Sequence, residues 1–335
     1  MKEKVFMILK IVVALAAVAG ILFILLQPEE PVSQPTATGK TVEDMIGTDE
    51  AESVTFRGKT YLHKKNVKSY LLMGIDRDGE AVPAENLFAG QADTLVVLVV
   101  DADAEAYTAL QLDRDTVMDV EVLSPDGTTV VDAQFMQICL AHTTGTGMED
   151  SCENTVRAVS NLLCGEKIDG YASLTMDAMP LLNDAVGGVP VTIEDDFSQD
   201  DPSLVRWETI TLDGQQAYHF LRGRMSVGDG TNASRMRRQR EYLSSFLKKL
   251  RQCVAQDSGF AVSLYQDLKP YMVSDISGKE INELAGMLPK YQNNGFVNFS
   301  GEHLINEGYM EFHVDELNLC ETLLSLFYDE VEVVG

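Results

Sequence analysis

Arg222, Arg224, Arg235, Arg237, Arg238 and Arg240 crowd into LRGR (221–224) and ASRMRRQR (233–240), in a chain that carries 52 acidic against 26 basic residues. A guanidinium stays charged where water is excluded and holds phosphate through two parallel N–H bonds. Arginines converging on one cleft would therefore bind a phosphate-like anion, whereas the competing reading is a solvated helix end. Helical spacing divides the set. On a helix from about residue 233 to about 250, Met236, Leu243, Phe246, Leu247 and Leu250 form the buried stripe, and Arg235 and Gln239, at i and i+4, flank it. These two are expected to line a cleft with Arg222 and Arg224. Arg237 faces solvent, Arg238 lies nearer the stripe, and both, with Arg240, read as ordinary solvated residues.

A second set of charges falls on strand ends. Asp76 closes SYLLMGID, Asp93 opens the next strand, and Arg114 and Asp115 follow YTALQLD in the sequence DRDT. Carboxylates at neighbouring strand ends can share Mg²⁺, which takes one or two carboxylates together with phosphate oxygens. Aspartate pairs near turns are also commonly structural. The formal charge of −26 argues against nucleic acid as a partner, since that needs a broad basic face. The absence of HExxH and GxSxG argues against a metalloprotease or a serine hydrolase.

Short β-branched and aromatic runs position these charges. SYLLMGID, ADTLVVLVVD and YTALQLD read as strands, the second apolar enough to be buried on both faces. SCENTVRAVSNLL (151–163) has helical spacing with Ser151 as its cap, a second helix covers roughly 177–184, and VPVTI follows the Gly187-Gly188 turn as a strand. DGQQAYHFLRGR reads as a helix capped by Asp213 that delivers Arg222 and Arg224. This alternation predicts an α/β fold, a mixed central β-sheet flanked by helices. Beyond residue 255, DSGFAVSLYQDLKPYMVSDIS and ETLLSLFYDEVEVV suggest helices, with VNFSGEHL and YMEFHVD as edge strands of the same domain.

The N-terminus carries an apolar run from Val5 to Leu26 broken only by Lys10, with Lys2 and Lys4 before it and Glu29 and Glu30 after. It reads as a single transmembrane helix with a cytoplasmic stub (1–27) that leaves the remainder extracytoplasmic; a cleavable signal peptide is the alternative. Residues 28–60 read as a flexible tether and 61–335 as the exported domain. None of the five cysteines has metal spacing. Cys139 with Cys152 is the favoured disulfide, and buried free thiols are the alternative.

The order and spacing of GID (74–76), ADT (92–94), RDT (114–116), VGGV (186–189), LDGQQAYHFLRGR and DGTNASRMRRQ resemble the LytR-CpsA-Psr family of bacterial cell-wall enzymes, over roughly residues 66–250. The resemblance implies one transmembrane helix, an exported α/β domain and an arginine-lined pocket for polyprenyl pyrophosphate. It implies transfer of a glycopolymer, of teichoic acid or capsular polysaccharide type, from that carrier to peptidoglycan with Mg²⁺. Carried over by motif, Asp76 and Asp93 are the metal ligands. Arg114, Arg222, Arg224, Arg235 and Gln239 bind the pyrophosphate, and Arg114, Asp115, Arg222 and Arg224 are catalytic. The sequence departs from the family pattern at three places. Gln91 stands where the family has arginine and joins the pyrophosphate contacts as a hydrogen-bond donor. Asp113 replaces a proline, and Gln137 replaces a pocket lysine. The loss of two cations keeps a second reading open, an envelope protein that binds or senses the lipid pyrophosphate without turning it over.

Overall fold

The computed structural model describes residues 53–84, 89–223, 226–257, 260–277, 280, 284, 287 and 290–331. In chain order the strands and helices are β1 (Ser53–Phe56), β2 (Lys59–His63), β3 (Val67–Asp76), β4 (Gln91–Asp101), β5 (Ala106–Leu112), β6 (Val117–Leu123), β7 (Val130–Gln137), α1 (Glu149–Leu162), β8 (Gly170–Thr175), α2 (Ala178–Ala185), β9 (Val189–Thr192), β10 (Thr209–Leu212), α3 (Gly214–Arg222), α4 (Asn232–Gln256), α5 (Phe260–Leu268), β11 (Met272–Ser274), β12 (Gln292–Val297), β13 (Gly301–Asn306), β14 (Tyr309–Val314), α6 (Glu316–Phe327) and β15 (Tyr328–Val331).

The central sheet runs β11-β8-β3-β4-β5-β12. β3 pairs antiparallel with β4 and parallel with β8, so the sheet is mixed, as the alternating sequence pattern predicts. The expectation for ADTLVVLVVD holds, because Leu95 to Val100 are buried on both faces. On one face, Leu95, Val97 and Val99 join a core with α1, α6, β6 and β14. On the other, Val96, Leu98 and Val100 pack with Tyr70 and Tyr107, and α2, α3, α4 and α5 build a further apolar layer beyond.

Several boundaries move. The last part of the stretch expected to be tether is sheet, because β1 pairs with β2 and β2 in turn takes β15 as its other neighbour. The helix expected through ETLLSLFYDEVEVV therefore stops at Phe327, and YDEV is a strand. Ser151 does not cap α1, which starts at Glu149. Its hydroxyl instead accepts from Gly147 N–H at 2.8 Å and donates to the Thr144 carbonyl at 2.5 Å, bracing the preceding glycine-rich loop. The predicted transmembrane helix lies outside the described residues. Among the described residues no helix is long and apolar enough to cross a membrane.

The proposed disulfide is absent: Cys139 and Cys152 are both free and buried. Burial pushes each thiol up to about 12, which leaves them protonated and unreactive. Cys152 Sγ lies 3.4 Å from Ser173 Oγ and 3.7 Å from His142 Nε2 instead.

Candidate functional site

Three local devices bring the charges together at one end of β3, β4 and β5. β3 and β4 are in register such that Asp76 faces Gln91, with a bulge between Gly74 and Ile75 that shifts the pairing near the end. α3 opens with a capping box, in which Asp213 accepts from Gln216 N–H at 2.8 Å and Gln216 Oε1 accepts from Asp213 N–H at 3.1 Å. That start sets Arg222 in the helix's last turn. α4 is capped by Thr231, whose hydroxyl accepts from Ser234 N–H at 3.2 Å, and this phases Arg235 and Gln239 toward the sheet.

Asp93 is the hub. Its Oδ1 accepts from Arg114 Nη1, and its Oδ2 accepts from Arg235 Nη1 at 2.8 Å. Arg235 is further fixed by the Asn232 side-chain carbonyl at 2.8 Å, and Arg114 Nε donates to Asp115 Oδ1 at 3.1 Å. Arg222, half exposed, reaches Asp76 at 3.0 Å and Asp78 at 3.3 Å, with its guanidinium 5.3 Å from the Tyr218 ring centre. Gln239 Nε2 donates to Thr94 Oγ1 at 3.1 Å. Arg114, Arg222 and Arg235 thus converge with Asp76, Asp93, Asp115 and Gln239. Arg224 lies outside the described residues. Gln91 sits at the start of β4 opposite Asp76, and Gln137 donates to Asp115 Oδ1 at 2.8 Å and to the Met310 carbonyl at 2.6 Å.

Asp76 is the carboxylate whose surroundings suit a cation. Burial, reinforced by the neighbouring Asp93, raises the Asp76 carboxyl above the usual range despite Arg222. Asp76 Oδ1 is shielded from water and lies near Arg222 without hydrogen-bond geometry. Two adjacent carboxylates with an oxygen short of a donor fit a hard divalent ion that completes its shell with phosphate oxygens and water. Among the described residues no cluster of three or more His, Cys, Asp or Glu side chains forms a closed metal cage. Asp76 and Asp93 would supply only part of such an ion's shell.

An apolar cavity of about 160 Å³ opens directly off these charges, between the sheet and α2–α4; its walls include Leu72, Val96, Leu174, Met179, Tyr242 and Phe246, and its rim Asp76, Asp93, Arg222, Arg235 and Gln239. A polar rim over an apolar floor fits an amphiphile with an anionic head.

Two arginine expectations are overturned. Arg238 is 2% exposed: its Nε donates to the Phe220 carbonyl at 3.1 Å, its Nη2 to the Gly223 carbonyl and its Nη1 to Asp195 at 2.7 Å. It ties the end of α3, and so the base of Arg222, to α4. Arg240 donates to Gln111 at 2.9 Å rather than simply facing water. Arg237 is partly exposed, as expected, and pairs with Glu194 and Asp195. The stripe that α4 buries is Asn232, Arg235, Arg238, Gln239, Tyr242, Phe246 and Leu250; Phe246 and Leu250 are buried as expected, whereas Met236 and Leu243 are half-buried. Apolar periodicity missed its first turns because their buried side chains are polar. The i, i+3, i+7 spacing of Arg235, Arg238 and Tyr242 is the signal that would have found them.

The fold and site define an α/β domain that offers arginines and paired carboxylates at the mouth of an apolar cavity. The sequence profile of the LytR_cpsA_psr family matches residues 32–326, and the chain belongs to that family. It is 27% identical over 247 residues to the polyisoprenyl-teichoic acid–peptidoglycan teichoic acid transferase TagU of Enterococcus faecalis, covering 72% of this chain and 73% of that one. It is 28% identical over 203 residues to Biofilm regulatory protein A of Streptococcus mutans, covering 58% of this chain and 47% of the relative, so the match spans about half that relative's length. In three dimensions it is similar to the LytR-CPS2A-psr family protein YwtF (TagT) solved with bound octaprenyl pyrophosphate lipid, with a TM-score of 0.53 and 20% identity over 78% of this chain and 90% of that one.

Proposed function

We propose that the protein is a phosphotransferase that moves an anionic glycopolymer, of teichoic acid or capsular polysaccharide type, from polyprenyl pyrophosphate to peptidoglycan. The observation that carries this reading is the placing of Arg222 and Arg235 at the mouth of an apolar cavity, with Arg114 behind them on the shared Asp93 carboxylate. The family membership and the transferase named among its relatives support it.

In this reading the prenyl tail enters the cavity and the pyrophosphate meets the arginine row. At about 160 Å³ the cavity is smaller than the roughly 300–1,000 Å³ of ordinary ligand pockets, so a long tail enters as the walls part. Met176, Met179 and Met272 supply unbranched, adaptable side chains there. Arg235, buried and doubly anchored, holds the pyrophosphate in place, while Arg222 meets it at the mouth.

A hydroxyl oxygen of the acceptor attacks the phosphorus that bears the glycan. The new P–O bond forms, the bond to the bridging oxygen breaks, and polyprenyl phosphate departs with that oxygen. Asp93 or Asp115 takes the hydroxyl proton. Negative charge builds on the phosphoryl oxygens, and fixed guanidiniums lower that barrier. As phosphate oxygens take over the guanidiniums, Asp76 and Asp93 lose their partners and are the residues that would hold Mg²⁺. The ion supplies charge neutralisation at the pyrophosphate. Residues 1–27 anchor the chain in the cell membrane, with the N-terminus cytoplasmic and the domain extracytoplasmic.

The test is incubation of the full-length chain in detergent with a synthetic polyprenyl-pyrophosphate oligosaccharide, Mg²⁺ and peptidoglycan fragments, followed by mass spectrometry. Acceptor carrying the oligosaccharide through a phosphodiester is the expected product. Lipid retained with no such product at any Mg²⁺ concentration would make the protein a binding or sensing module.

A further inference from the structure

Two hairpins, β6–β7 and β13–β14, stand on the sheet face opposite the apolar cavity. Their buried residues Val120 and Phe312 belong to the core with α1 and α6, whereas the cavity lies on the α2–α4 side. Both hairpins are fastened to the strand end that carries Arg114 and Asp115. Gln137 of β7 reaches Asp115, and His303 of β13 lies 3.0 Å from Asp113. Alternate residues of a strand share a face. Phe135, two positions from Gln137, and Ile305, two positions from His303, therefore lie on the faces turned toward that strand end, roughly 7 Å further out. Phe135 is 64% exposed, Val131 on the same face 63% and Ile305 76%. Asp119 is exposed and directly opposite Phe135 in the β6–β7 ladder.

We infer that this face between the hairpins is the docking surface for the acceptor, through the uncharged faces of its hexosamine rings. The inference rests on the transferase reading and deepens it. In phosphoryl transfer the attacking and leaving oxygens lie roughly in line through phosphorus. A leaving group whose tail lies in the cavity on one face of the sheet puts the attacking hydroxyl on the other, where the hairpins stand. The chemistry of the surface agrees. An aromatic ring packs on the C–H face of a sugar, and the neighbouring Asp119 carboxylate accepts from its hydroxyls.

The test compares Phe135→Ala and Ile305→Ser with the full-length wild-type chain; Trp207→Ala, 68% exposed on the β9–β10 connection, is the control. Soluble uncrosslinked glycan strands are titrated as acceptor, and binding of polyprenyl pyrophosphate is measured separately. The expected result is a rise of about tenfold in the KM for glycan strands in Phe135→Ala, with lipid binding unchanged and Trp207→Ala like wild type; a tenfold change corresponds to the ~1.4 kcal/mol of one modest aromatic contact. An acceptor KM within twofold of wild type in both hairpin variants overturns the inference, and so does parallel loss of lipid binding. If the wild type shows no transfer at all, glycan-strand retention on immobilised protein still decides: retention lost in Phe135→Ala upholds the surface without the transferase, and equal retention removes it.

Discussion

Asp93 holds Arg114 and Arg235 together, so in the proposed transfer each guanidinium would meet the phosphate already oriented. Preorganised charge of this kind is typically worth a factor of ~100–1,000 per group. Arg235→Ala is therefore expected to lower kcat by about 100-fold, whereas Arg237→Ala, whose side chain pairs with Glu194 and Asp195 away from the cavity, stays within about threefold; steady-state turnover checks both. A second residue-scale consequence concerns acid. Burial lowers the His142 imidazole to about 4, and its Nδ1 donates to the Gly90 carbonyl at 3.0 Å. The folded state thus takes up its proton less readily than the unfolded chain, so stability is full above the unfolded pKa near 6.5 and is lost as pH falls from there toward 4. This one group should remove about 2 kcal/mol between pH 7.5 and pH 5. Urea unfolding of wild type and His142→Asn at the two pH values measures it, the variant showing the shallower loss. At this scale the sequence was informative where chemistry and position coincide, as at Asp76, Asp93, Arg114 and Arg222. It misread Arg238, because a charged residue reads as solvated until its partners, the Phe220 and Gly223 carbonyls and Asp195, are brought beside it by the fold.

Among the elements, α3 and α4 carry the site between them, and Arg238 is the strut that fixes one against the other. Removing one partner of a buried ion pair typically costs ~3–5 kcal/mol because the other charge is left uncompensated, and truncation to alanine adds lost packing that a side chain of similar volume keeps. Arg238→Ala is expected to destabilise the protein by about that amount and Arg238→Met by less, in urea unfolding; both should slacken Arg222 and lower turnover. The strands β3, β4 and β5 were legible because their runs are apolar and bounded by charges or turns, and α3 because Asp213 and Gln216 form a capping box. The hairpin β6–β7 was not read at all, and β13–β14 only as loose edge strands. Their outward residues pack against little, so apolar alternation is weak exactly where the chain leaves the core. The strand YDEV was read as helix because its pairing partner, β2, is more than two hundred residues away in sequence.

The molecule as a whole sets a field that opposes its own site. A formal charge of −26 surrounds a local row of arginines. A polyanionic donor is therefore repelled at long range and attracted only at contact. Raising ionic strength from about 0.01 to 0.15 M shortens the screening length from ~30 to ~8 Å. It is expected to speed donor association severalfold, the reverse of the slowing seen where a basic surface steers an anion. Stopped-flow binding of a fluorescent polyprenyl-pyrophosphate oligosaccharide reads this directly. The mixed sheet with helices on both faces was legible from the alternation of elements. That its two faces differ, a cavity on one and exposed hairpins on the other, emerges only from the packing.

The most direct measurement of the central claim is a single-turnover experiment on the full-length chain with the polyprenyl-pyrophosphate oligosaccharide, Mg²⁺ and glycan strands, in which polyprenyl phosphate and glycan-bearing acceptor are quantified together. The two are expected to appear at equal rates and in equal amounts, and Arg222→Ala to abolish both while the protein remains folded. Polyprenyl phosphate released without a glycan-bearing acceptor, or equal product from Arg222→Ala, would contradict the claim.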